Sequence, residues 1–146
     1  MSVIARLVCS VVLVLVAATA QAQNKVPGER ALEALVKSSL LTFNDANVTN
    51  NYTVLHAKLS QPFRLKYPPE KLAETFKVFR DKRIDFDIIA ALKPVYDPAP
   101  KVDDDGKLLV EGHFDPEHAT VAFELDFIPS DGEWKLIRLN VKVNPK

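Results

Sequence analysis

The chain has 146 residues, and its 19 basic side chains equal its 19 acidic ones, so its formal net charge at pH 7 is zero. Lys and Arg residues are scattered among Asp and Glu and form no basic stripe, which argues against a nucleic-acid-binding surface. A chain of this size buries enough surface to support a hydrophobic core without disulfides or a structural metal.

The first 22 residues have the composition of a cleavable secretory signal peptide. A short segment with one positive charge, Arg6, precedes the uncharged, apolar stretch from Leu7 to Ala18. This stretch is about 12 residues long, whereas a membrane-spanning helix needs roughly 20. Ala20 and Ala22 then form the small-x-small pattern that signal peptidases accept. We therefore predict cleavage after Ala22 and a secreted or periplasmic protein.

Cleavage would remove the only cysteine, Cys9. A mature chain without cysteine enters an oxidising compartment with no disulfide, and it has no thiol for redox chemistry, nucleophilic catalysis or zinc binding. We expect residues 23–28 to be a flexible lead-in and residues 29–146 to form a single domain. No later segment approaches spanning length, so we expect no membrane association after signal cleavage.

The first half of the expected domain has the apolar spacing of helices. A helix is predicted from Glu29, with Leu32, Leu35, Val36, Leu40 and Phe43 on its apolar face, and it is expected to end in the turn-forming residues Asn44–Asn47. A second helix is predicted over Tyr52–Leu59 and is expected to close at Pro62. A third is predicted from Pro69, a residue suited to a first helical turn, to about Asp81.

The second half has the period of strands. Strand-like segments are Asp85–Ala90, Leu108–Phe114, Val121–Ile128 and Trp134–Val143. Lys93–Pro100 contains three prolines and is a loop or a broken edge strand. The Asp131-Gly132 pair predicts a hairpin turn between the last two strands. The fold class is therefore α+β, with three N-terminal helices packed on a curved antiparallel sheet of about four strands.

Four segments in this order resemble the nuclear-transport-factor-2-like superfamily of cystatin-like α+β cones, a domain that small exported bacterial proteins often carry. They are Phe43-Asn44-Asp45-Ala46, Tyr52-Thr53-Val54-Leu55-His56, Leu59-Ser60-Gln61-Pro62-Phe63 and Gly132-Glu133-Trp134-Lys135-Leu136. The resemblance implies a cone-like sheet wrapped around the first helix, a conical pocket between them, and a homodimer formed through the outer face of the sheet. It does not imply one function, because this fold hosts enzymes as well as binding domains.

Enzymes of this superfamily usually use a pocket Asp or His as a base, and the candidates here are Asp85, Asp87, His56 and His113. Asp85 and Asp87 flank Phe86 with strand spacing, so both carboxylates are solvated if Phe86 faces the core. We interpret His56 as a helix-surface residue and place His113 on the outer face of its strand. No catalytic residue is assigned on this basis.

The acidic run Asp103-Asp104-Asp105-Gly106 is consecutive, whereas a calcium-binding EF-hand spaces its acids at alternate positions and ends in a glutamate. We interpret it as a solvated turn. The three histidines include no short-spaced pair, and no glycine-rich phosphate loop is present in the sequence. We therefore expect neither a metal nor a cofactor.

The sequence favours an exported, non-catalytic domain that binds a small apolar ligand or a protein partner and forms a homodimer. The side chains proposed to line the pocket are Tyr52, His56, Phe63, Tyr67, Phe86, Asp87, Tyr96 and Trp134. One alternative is an enzyme of the isomerase, dehydratase or cyclase type with a pocket Asp or His as base. Another is an accessory or inhibitor-like protein that acts through an exposed apolar patch on its strands.

Overall fold

The computed structural model describes residues 25–146, so the predicted signal peptide lies outside the described residues. Within this range five α-helices, α1 to α5, and one 3-10 helix precede the main strands of the sheet. The α-helices are Glu29–Thr49, Thr53–Lys58, Gln61–Lys66, Pro69–Thr75 and Lys77–Asp81, and the 3-10 helix is Asp87–Ala91. The strands β1 to β5 are Val95–Tyr96, Lys101–Val102, Leu108–Phe114, Ala119–Ser130 and Glu133–Pro145. The α+β class is confirmed, whereas the counts of three helices and about four strands are corrected.

The five strands form one antiparallel sheet in the order β1-β3-β4-β5, and β2 pairs with the same edge of β3 as β1 does. The edge is thus a broken strand, one of the two alternatives for Lys93–Pro100. Pro98 and Pro100 lie between the two pieces, and proline cannot donate a ladder hydrogen bond. The long β4–β5 hairpin turns at Asp131 and Gly132, both with positive φ, as the Asp-Gly pair predicted.

Helix α1 does not end at Asn44–Asn47 as predicted, but continues to Thr49. Asn50 then takes the left-handed conformation, and its N–H donates to the carbonyl groups of the last turn. The prediction was wrong because the Asn44 and Asn47 side chains are buried and hydrogen-bonded inside the fold. The Asn47 amide also donates to the Phe43 carbonyl within α1, a bond that the continuous helix accommodates.

Pro62 does not close the second helix but lies in the first turn of a separate helix, α3. The first-turn N–H groups have no partner within a helix, so proline removes no bond there. The predicted third helix is divided at Phe76 into α4 and α5. This division lets Phe76 and Phe79 both pack edge-on against the buried Phe43 ring, at centroid distances of 4.7 and 5.0 Å.

The predicted strand at Asp85–Ala90 is wrong, because this segment turns into the 3-10 helix. The Asp85 carboxylate accepts the Asp87 N–H at 3.2 Å, a contact that turns the chain locally. Phe86 and Ile89, three residues apart, are both buried, and this spacing matches the three residues per turn of a 3-10 helix.

A β-bulge changes the expected alternation of β5. Asp126 pairs with Arg138, but the next residue, Phe127, pairs with Leu136, so Ile137 is the extra residue. Leu136 therefore joins Phe127 on the core face of the sheet. The core unites the buried side of α1 with the inner face of the sheet; its largest members include Leu40, Phe43, Phe114, Phe123, Leu125 and Phe127.

Candidate functional site

An apolar groove of about 280 Å³ lies between the short helices and the edge of β5. We call it the α3–α4 groove. Its lining residues are Leu55, Leu59, Phe63, Tyr67, Leu72, Thr75, Phe76, Ile137, Arg138 and Leu139. Two of the pocket candidates, Phe63 and Tyr67, are thereby brought together. Predominantly apolar walls with few polar groups are typical of small-molecule sites.

The chain that forms one side of the groove is joined to the sheet just before α3. Leu59 forms a bridge to Leu136, and the Ser60 N–H donates to the Leu136 carbonyl at 2.9 Å. Phe63 of α3 and Tyr67, which caps the C-terminus of this helix and donates its N–H to the Phe63 carbonyl, lie four residues apart on one face. Their rings stack with centroids 5.6 Å apart and form one aromatic wall.

The rim of the groove is cationic, whereas its floor is apolar. The Nζ atoms of Lys66 and Lys71 lie 5.5 and 5.2 Å from the centroid of the Tyr67 ring, within cation–π range. The Arg138 guanidinium forms an ion pair with Glu124 on the adjacent strand and is thereby held at the sheet. Among residues 25–146, the side chains that line the groove include no carboxylate and no imidazole.

A second cavity, of about 460 Å³, separates the first half of α1 from the end of the β4–β5 hairpin. We call it the Lys58 cleft. Its lining residues are Pro27, Ala31, Leu35, Ser39, Lys58, Phe127, Glu133, Trp134, Lys135 and Leu136. Trp134, a pocket candidate and the only tryptophan of the chain, is therefore in this cleft and not in the groove.

Lys58 is the unusual ionisable group of this cleft. Its Nζ donates to Ser38 Oγ at 2.6 Å, and no carboxylate within residues 25–146 forms an ion pair with it. Burial lowers the pKa of Lys58, the nearby Lys135 ammonium lowers it further, and Glu133 opposes the shift. Lys135 itself pairs with Glu133 at 3.0 Å.

Two pocket candidates are core residues. Tyr52 is buried, and its hydroxyl donates to Asn47 Oδ1 and accepts from Arg80, both at 2.6 Å. Phe86 is also buried, with its ring 6.3 Å from that of Phe43. The sequence shows that both positions are aromatic, but their rings pack against α1 and are not accessible to a ligand.

The other pocket candidates line neither the α3–α4 groove nor the Lys58 cleft. His56 is half-buried and its Nε2–H donates to the Arg64 carbonyl at 3.0 Å, while Asp87 is exposed at the start of the 3-10 helix. Tyr96 is half-buried, and its hydroxyl has no partner in the described structure. Burial, followed by the negative charges of Glu33 and Glu29, raises the pKa of Tyr96.

The acidic turn and the outer face of the sheet are polar surfaces. Asp103 accepts the N–H groups of Asp105 and Lys107 at 3.0 and 2.9 Å and so closes the turn. His113 and Glu111 line a cleft of about 370 Å³ on the outer face. Within the described chain, no group of three His, Cys, Asp or Glu residues is arranged to hold a metal ion.

The large exposed apolar side chains of residues 25–146 avoid the three main strands, β3 to β5. They are Val26, Val48, Val54, Leu65, Val78, Ile88 and Val95. The alternative of an accessory protein acting through an apolar sheet surface requires such side chains on the strands, and these strands do not provide them.

Sequence reasoning missed Lys58 as a site residue, because its partial burial and its proximity to Lys135, which lies far along the chain, arise only in the folded structure. In residues 25–146 no helix is both long and apolar enough to cross a bilayer. Comparisons with models of known protein families, with curated proteins and with solved structures found no match for this chain.

Proposed function

We propose that this chain is an exported, non-catalytic domain of the nuclear-transport-factor-2-like type that binds a small apolar ligand in the α3–α4 groove. The main support for this proposal is the lining of the groove, in which the Phe63–Tyr67 wall faces aliphatic side chains of β5 and α4. An α+β fold with the long helix against an antiparallel sheet supports the cone-like assignment.

The described lining of the groove contains no carboxylate or imidazole, and this favours binding over catalysis. A base of the expected kind needs a carboxylate or imidazole in a partly apolar cavity. Asp87 is exposed, and His56 is engaged with a backbone carbonyl. The ionisable groups of the groove lining are Tyr67 and Arg138.

Titration with N-phenyl-1-naphthylamine, a neutral apolar fluorophore, tests the groove directly. The wild-type protein is expected to raise the fluorescence of the probe saturably, and Thr75→Phe is expected to abolish this because its ring fills the groove. Thr49→Phe is the matched control, because Thr49 and Thr75 each end a helix and donate to the carbonyl four residues earlier. Equal binding by both variants would contradict the proposal.

Export is tested separately by N-terminal sequencing of the protein recovered outside the cytoplasm of a bacterial host. The expected first residue is Gln23, after cleavage at Ala22. A protein that keeps Met1, or that stays in the cytoplasm, would overturn this part of the proposal. The homodimer is part of the same proposal, and a monomeric mass by light scattering at all concentrations would contradict it.

A further inference from the structure

We propose that the Lys58 cleft is a second binding site, for the carboxylate group and aliphatic chain of a fatty-acid-like molecule. The site is separate from the α3–α4 groove, so it stands or falls independently of the proposed function. Its elements are the Lys58 ammonium, which forms no ion pair within residues 25–146, the nearby Lys135–Glu133 ion pair, and an apolar wall.

The charges of the cleft favour an anionic ligand. Lys58 is partly buried, and its hydrogen-bond partner is the neutral Ser38 hydroxyl. The Lys135 ammonium disfavours the charged form of Lys58 further. A negative group placed between these two side chains would offset both the desolvation of Lys58 and the repulsion from Lys135.

The position of Lys58 is not explained by its helix alone. A lysine in the last turn of a helix interacts favourably with the helix dipole, and Lys58 is in the last turn of α2. That interaction is available to a fully solvated side chain, whereas Lys58 is half-buried in the lining of the cleft. The Lys58 side chain instead reaches the exposed Ser38 hydroxyl of α1, and it lines the cleft between α1 and the hairpin.

The neighbouring groups favour a carboxylate over a phosphate. Glu133 lies in the cleft lining and forms an ion pair with Lys135 at 3.0 Å. Its negative charge repels a dianion more strongly than a monoanion.

The apolar wall identifies the rest of the ligand as aliphatic. Ala31 and Leu35 come from α1, and Phe127, Trp134 and Leu136 come from the β4–β5 hairpin. The cavity volume of about 460 Å³ falls within the range of small-molecule sites. Burial of an alkyl chain along this wall would provide the hydrophobic part of the binding free energy.

Trp134 makes the test specific, because the only tryptophan of the chain lies in this cleft. Titration of the full mature chain with dodecanoate is expected to change tryptophan emission saturably. Lys58→Met is expected to weaken binding about tenfold, equivalent to a loss of about 1.4 kcal/mol. Lys58→Arg keeps the charge and is expected to retain most of the affinity.

Three controls test whether the loss of dodecanoate affinity is specific to the charge of Lys58 in the cleft. Lys66→Met removes a lysine from the groove rim and is expected to leave dodecanoate affinity unchanged, as is Thr75→Phe in the groove. Dodecanol, which lacks the charge, is expected to bind the wild type about as weakly as dodecanoate binds Lys58→Met. Unchanged affinity in a folded Lys58→Met variant, or equal affinity for dodecanol and dodecanoate, would overturn the proposal.

Discussion

Asn44 and Asp85 are joined by a hydrogen bond of 2.8 Å from the Asn44 amide to the Asp85 carboxylate. The Asn44 side-chain oxygen also accepts the Phe86 N–H at 3.0 Å. One buried amide in the long helix therefore satisfies both a side chain and a backbone group of the segment that leads into the 3-10 helix. This contact explains two differences from the sequence-based expectation, the longer α1 and the missing strand at Asp85–Ala90.

Asn44→Ala is expected to lower the free energy of unfolding by about 1–3 kcal/mol, because it leaves the buried Phe86 N–H without an acceptor. The measurement is the urea unfolding midpoint followed by circular dichroism. Asn144→Ala is the control at an exposed asparagine, where a change within about 0.5 kcal/mol is expected. Equal stability of the two variants would show that the Asn44 contact contributes nothing.

Tyr52→Phe is expected to destabilise the protein by about 1–3 kcal/mol, because it leaves the buried Asn47 oxygen without its donor. It also removes the acceptor for Arg80. Tyr67→Phe is the matched control, since Tyr67 is only half-buried, and a change within about 0.5 kcal/mol is expected. Thermal or chemical unfolding of both variants checks the prediction, which fails if Tyr52→Phe is no less stable than Tyr67→Phe.

Gly112→Ala is expected to detach β1 from the sheet. A Cβ atom at Gly112 would lie 2.0 Å from the Val95 carbonyl oxygen, so the β1 backbone must move. The expected loss of stability is about 1–3 kcal/mol, typical of overpacking. Hydrogen exchange at Val95 and Tyr96 should accelerate in this variant. Gly28→Ala, where a Cβ meets nothing within 4 Å, should leave exchange in β1 unchanged, and unaltered exchange in both variants would contradict the prediction.

Asp126→Asn is expected to raise stability at pH 7. Burial raises the pKa of Asp126, and Arg138 and Lys107 oppose this shift only in part. An acid with a raised folded-state pKa takes up its proton more readily in the folded protein, so its ionised form destabilises the fold at neutral pH. The advantage of the variant should shrink as the pH falls through the raised pKa toward about 3.9, the pKa of an unfolded aspartate.

Asp115→Asn provides a control of opposite sign. The hydrogen bond from Lys146, at 2.6 Å, lowers the pKa of Asp115, so its ionised form stabilises the fold. This variant should be less stable than wild type at pH 7. The difference should begin to shrink near about 3.9, the pKa of an unfolded aspartate, and vanish as the pH falls through the lower folded-state pKa. Urea unfolding at pH 7 and at acid pH measures both variants; a lower stability of Asp126→Asn at pH 7 would contradict the assignment.

Local patterns predicted those parts of the fold whose residues interact with near neighbours in sequence. The apolar face of α1, the alternation of β4 and the Asp131-Gly132 turn are present where the sequence placed them. Each depends on a period of 3.6 or 2 residues or on positive φ at a turn, and these properties are readable from a single segment. The Phe63–Tyr67 wall also combines local features, since its two aromatic residues are spaced four apart.

The sequence by itself determined the α+β class, and it supports the signal-peptide prediction for residues 1–22. Only the tertiary structure decided how far α1 extends, whether Asp85–Ala90 is extended, and which β5 residue faces the core. These outcomes depend on partners far apart in the chain, as Asn44 and Asp85 are, and on the pairing of Phe127 with Leu136. The Lys58 cleft has the same origin, because burial lowers the pKa of Lys58 and the ammonium of Lys135, which folding brings near, lowers it further. A local pattern specifies a repeat of side-chain directions, whereas a buried hydrogen bond or a desolvated charge exists only after distant segments have packed together.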